Sequence, residues 1–135
     1  MTNNPLDVNT REMIGKILFL LSVTTDPSQT IMLTSSAITW VKAGLHKIGV
    51  HDCDDDLKRC RKNWKGAKGY YLTGQAGWST CEDILSDLRD FLFDVAVEHD
   101  IIIIRKEWYN MSADGAGGIQ MQVNPMGILD EIGKA

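Results

Sequence analysis

Asp52 to Lys68 is the stretch of this chain whose residue types could do chemistry. Four aspartates, Asp52, Asp54, Asp55 and Asp56, precede Lys58, Arg59, Arg61, Lys62, Lys65 and Lys68, so six of the fourteen Lys and Arg residues fall within eleven positions. Trp64 lies inside the cluster, and Tyr70 and Tyr71 follow it. Cations beside flat aromatic faces are the combination that engages a phosphate backbone and stacks on bases. Lys58, Arg61, Lys62, Trp64, Lys65, Lys68 and Tyr70 are therefore the candidate nucleic-acid-binding residues.

A second charged feature has the opposite sign. Asp83, Asp87, Asp90, Asp94 and Glu98 recur at steps of four, three, four and four, which places them on one face of a helix. This face offers an alternative function, docking on the basic groove of a partner protein through Asp83, Asp87, Asp90 and Asp94. The two charged features could also pair with each other, which would leave neither free for a partner.

Metal and catalytic chemistry are less well marked. His46, His51, Cys53 and Cys60 have zinc-ligand side chains, but their spacing lacks a paired Cys-x2-Cys, and neither a metal nor a cofactor is expected. The aspartates at 52 to 56 lack the glycine and terminal glutamate of a calcium loop. Gly74-Gln75-Ala76-Gly77 and Gly115-Ala116-Gly117-Gly118 read as turns, and no nucleophile elbow or phosphate loop is present. The chain reads as non-enzymatic.

Composition limits the possibilities further. At 135 residues with 44% hydrophobic content, the chain suits a single domain, flanked by a short segment 1–8 and a tail 125–135. A net charge of −4 confines polyanion binding to a local patch. Three cysteines and no secretory leader point to a reducing cytoplasm, and no apolar run approaches the length of a membrane span.

The elements that would position these residues follow from periodicity. The spacing predicts helices over 11–22, 35–48, 52–64 and 80–98, with Thr10, Ser35 or Ser36, and the Ser79 to Glu82 capping box at their starts. Short extended pieces are expected at Thr30 to Thr34 and Tyr70 to Thr73. Ile101 to Trp108 reads as a strand, paired through a glycine-rich tip with alternating Ile119, Met121 and Val123. The expected fold class is thus α+β, helix-rich with a C-terminal β-hairpin.

The expected core contains Ile14, Ile17, Leu18, Leu21, Ile38, Val41, Leu45, Leu57, Ile84, Leu88, Leu92 and Val95. The first helix is apolar on more than one side, so either the rest of the fold or a second copy in a homodimer must cover it.

In outline, the order of helices followed by a glycine-tipped hairpin over Ser35 to Asn124 resembles winged-helix proteins. That resemblance implies a helix-turn-helix formed by 35–48 and 52–64, or a reading helix at 80–98 with the hairpin as its wing. The acidic stripe opposes the second version, because a row of carboxylates between phosphate rows is repelled. Asp54, Asp55 and Asp56 oppose base readout in the first, since they occupy the end of the helix that normally meets the bases. The leading functional expectation is a non-enzymatic regulatory or accessory factor that binds nucleic acid through 58–71.

Overall fold

The computed structural model describes residues 6–108. Within them are four long helices, α1 (Val8–Val23), α2 (Pro27–Lys47), α3 (Asp54–Leu72) and α4 (Trp78–Glu98), and residues 106–108 are helical as well. No strand occurs among the described residues, so the fold is a bundle-like helical array and not an α+β domain with a hairpin.

Each departure from the expected elements has a local cause. Thr30 to Thr34 was expected to be extended but lies inside α2, which begins eight residues before Ser35. Asp26 caps this helix by accepting a 3.0 Å hydrogen bond from the Gln29 backbone N–H, and Pro27 takes the first helical position, where its missing donor costs nothing. The hydroxyls of Thr30 and Thr34 donate to the carbonyls of Asp26 and Thr30, which satisfies them inside the helix.

Asp7, rather than Thr10, caps α1, accepting from the Thr10 backbone N–H at 2.7 Å. These two bonds from Thr10, side chain and backbone, hold the Asp7 carboxyl below its usual pKa. The turn at Tyr70 to Thr73 was also expected to be extended, but α3 runs through Gly66 and Gly69 to Leu72. The Ser79 to Glu82 capping box does not form, and α4 starts from Gly77 without a side-chain cap.

Helices α2 and α4 pack together, and α1 and α3 flank that pair. Ile17, Leu33, Val41, Leu45 and Leu92 have no exposed surface and mark the centre. Of the expected core, Ile84 alone is only half-buried, and its neighbour Leu85 is the residue sealed at 2% exposure.

Beyond α4 the chain reverses at Asp100, whose φ of 55° lies in the left-handed region. Residues 101–105 then lie in neither helix nor strand. Ile101 is fully buried, and the Ile103 N–H donates to the Arg11 carbonyl at 3.0 Å, which lays this segment along α1. Gly15 makes the close approach possible, since a Cβ there would sit 1.8 Å from the Ile103 carbonyl oxygen.

Ion pairs from Arg11 to Asp100 and from Arg105 to Glu12 fasten the edges of the strap, and Phe19 meets Trp108 at a ring separation of 5.7 Å. The β-branched run that suggested a strand therefore serves as a strap over a helix. It also supplies, within one chain, the cover that α1 was expected to need from the fold or from a second copy. The rest of the expected hairpin, Asn110 to Val123, and the tail 125–135 lie outside the described residues. The winged-helix arrangement, which depends on that hairpin, is replaced by the helical array. No described helix is long and apolar enough to cross a membrane.

Candidate nucleic-acid interface on helix α3

Three aspartates occupy the first turn of α3, where they complement the partial positive charge of the unpaired N–H groups, and the basic residues follow toward its C-terminus. Leu57, Cys60 and Ala67 form the buried edge of the helix. Lys58, Lys62 and Lys65 are exposed and follow one another at steps of four and three, so they share the outer face.

The candidate residues divide into two groups. Lys58, Lys62, Lys65 and Tyr70 project into solvent, with Tyr70 50% exposed. Arg61 and Trp64 instead tie α3 to α2. Arg61 donates to the Ser35 hydroxyl at 2.7 Å, to the Ser35 carbonyl at 3.2 Å and to the Thr39 hydroxyl at 2.8 Å. Burial lowers its pKa from the ordinary guanidinium value.

The Trp64 indole N–H donates to the Ile31 carbonyl at 2.8 Å. The Arg61 guanidinium and the Lys68 ammonium lie 5.1 and 5.0 Å from its ring centroid. Lys68 is thus half-buried against Trp64, and Trp64 already has partners for both its donor and its π surface. Sequence reasoning missed this role because Ser35, Thr39 and the Ile31 carbonyl lie on a segment expected to be a strand and a helix start.

The acidic face is equally well segregated. Asp83, Asp87, Asp90 and Asp94 are all exposed along α4. Asp87 shares surface grooves with Lys62 and Arg59 across the α3–α4 seam. Among the described residues, however, no ion pair joins the basic segment to these acids; Arg59 pairs with Asp56 and Arg89 with Asp90.

The histidine and cysteine group is rearranged relative to its sequence spacing. His46 Nε2 lies 2.6 Å from Asp54 Oδ1, and His51 Nδ1 lies 3.9 Å from Asp54 Oδ2. The bond from His46 lowers the Asp54 pKa. Cys53 and Cys60 are free thiols whose pKa values are raised, mainly by burial and further by nearby aspartates, so thiolate chemistry is disfavoured at both.

The chain matches no family model, no curated protein and no solved structure.

The described surface presents a cationic row on α3, an anionic row on α4 and a histidine–aspartate corner between α2 and α3.

Proposed function

We propose that the protein is a non-enzymatic regulatory or accessory factor that binds nucleic-acid phosphates through the outer face of α3. The observation that carries this reading is the row Lys58, Lys62 and Lys65, exposed on one face and without an ion-pair partner among the described residues. Arg61 and Trp64 support the row by fixing α3 against α2, and Lys68 over the Trp64 ring and the exposed Tyr70 flank it toward the helix C-terminus. Asp54, Asp55 and Asp56 occupy the helix N-terminus, so the reading is backbone binding without base recognition in the major groove.

Free thiols fit the reducing cytoplasm as the site of action. The test is fluorescence anisotropy with labelled single-stranded DNA, duplex DNA and RNA, comparing wild type with the triple variant Lys58→Glu, Lys62→Glu, Lys65→Glu. Loss of binding with an unchanged circular dichroism spectrum supports the proposal. Wild-type affinity in the triple variant rejects it.

The exposed acids of α4 favour a second reading, an inhibitor or adaptor that docks on a basic protein groove through Asp83, Asp87, Asp90 and Asp94. Changing these four to Asn should release such a partner in a pull-down without lowering the melting temperature. Undiminished capture of the partner would remove this reading.

A further inference from the structure

The linker between α2 and α3 is held at both ends by its own backbone. Helix α2 ends in a tight reversal in which the Gly49 N–H donates to the His46 carbonyl at 3.0 Å and the Val50 N–H to the Leu45 carbonyl at 2.8 Å. Gly49 has a φ of +83°, a conformation that a side chain would strain. The Asp54 N–H then donates to the His51 carbonyl at 3.2 Å, starting α3. This path brings His51 back beside the last turn of α2, where its ring lies 4.5 Å from that of His46, centroid to centroid.

We infer that His46, His51 and Asp54 form a binding site for a divalent transition-metal ion of the zinc class. One donor atom from each of the three lies within 4.8 Å of the others. Bonds of about 2.0–2.1 Å at tetrahedral angles separate the donors of a zinc ion by about 3.4 Å. His46 Nε2 lies 2.6 Å from one Asp54 carboxylate oxygen and His51 Nδ1 lies 3.9 Å from the other, one below and one above that distance. Rotation of side chains that all reach solvent would bring them to it.

The donor set selects the metal. Two imidazoles and one carboxylate suit zinc, cobalt, nickel and copper, whereas calcium and magnesium prefer all-oxygen shells. Three protein ligands at a solvent-accessible corner leave the fourth position to water. The ion would crosslink the end of α2 to the start of α3, and its charge would be opposed by Lys42, Lys58 and Arg61 and favoured by Asp55, all on the adjoining surface depression. No metal is expected from the sequence, and the ligand types noted there include Cys53 and Cys60, which take no part in this site. Cys60 is buried on α3, and Asp54 takes the position beside the histidines.

The site is independent of the nucleic-acid reading and is tested on tag-free, full-length protein by calorimetric titration with zinc chloride. Wild type should bind one ion, and zinc should raise its melting temperature. Even groups that only hydrogen-bond a metal ligand are commonly worth about 10–100-fold in metal affinity, so removing a ligand itself should cost at least about tenfold. His51→Ala and Asp54→Asn should each show that loss. His51 has 62% of its side chain exposed, so its substitution should leave the unfolding of the metal-free protein unchanged. The cobalt-loaded protein should lack a thiolate charge-transfer band. Failure of wild type to bind zinc saturably, undiminished binding by His51→Ala, or a cobalt–thiolate band would each overturn the proposal.

Discussion

Replacing Gly15 with Ala tests whether the strap after α4 lies on α1. In an open helix interior this substitution stabilises by about 0.5–1 kcal/mol, because alanine loses less backbone entropy on folding. At Gly15 the new methyl carbon would sit 1.8 Å from the Ile103 carbonyl oxygen and 2.8 Å from its carbon. A carbon–oxygen contact needs about 3.3 Å, so the strap would have to retreat by about 1.5 Å. That retreat breaks the Ile103-to-Arg11 backbone hydrogen bond, worth about 1 kcal/mol, and adds overpacking of about 1–3 kcal/mol.

Offset by the alanine gain, the net loss should be about 1–3 kcal/mol, or roughly 4–12 °C in Tm. Gly66→Ala is the matched control, because the nearest atom to a Cβ there is Tyr70 Cε2 at 4.0 Å. It should stabilise by about 0.5–1 kcal/mol. Urea denaturation followed by circular dichroism reads both variants. If Gly15→Ala is as stabilising as Gly66→Ala, the strap does not contact α1 as described.

Three further outcomes follow from other contacts. Trp64→Phe should lower stability by about 1–2 kcal/mol through loss of the bond to the Ile31 carbonyl while leaving nucleic-acid affinity unchanged, as measured by urea denaturation and anisotropy. A large affinity loss would assign Trp64 to the ligand instead. Leu85→Ala should cost about 2–5 kcal/mol in the same denaturation assay and Ile84→Ala clearly less, because only Leu85 is sealed.

The third outcome concerns pH. The bond from His46 holds the Asp54 carboxyl below the ordinary aspartate pKa, so its contribution to stability is present above that ordinary value and disappears as pH falls through the folded one. Urea denaturation from pH ~5 to ~3 should therefore show a smaller loss of stability in Asp54→Asn than in wild type. Identical slopes would remove the His46–Asp54 bond from the account.

The helical periodicity of 11–22, 35–48, 52–64 and 80–98 was legible because each segment buries one face, and eleven of the twelve expected core residues are buried. The failures share a physical origin. Ile101 to Ile104 is a β-branched run and Thr30 to Thr34 is rich in β-branched residues, and tertiary contacts decided their conformation, the first as an unpaired strap on Gly15 and the second as a helix interior. Asp26-Pro27, a pair that suits turns as well as helix starts, opens α2 ahead of the expected Ser35 or Ser36.

At the candidate interface, the sign and position of the charges were legible, whereas the internal use of Arg61 and Trp64 was not. Their partners, Ser35, Thr39 and Ile31, are 22 to 33 residues away in sequence, and only the packing of α2 on α3 brings them together. His46 and Asp54, eight residues apart across the Gly49 turn, were hidden for the same reason.

The measurement that tests the account most directly is the salt dependence of single-stranded nucleic-acid binding by the full-length protein. Three lysines neutralising three phosphates predict a slope of log K against log salt of about −2, at about −0.7 per contact. Each single Lys→Glu change at 58, 62 or 65 should flatten the slope by about 0.7. A salt-independent affinity, or a wild-type slope retained in all three variants, would contradict the assignment of α3 as the binding face.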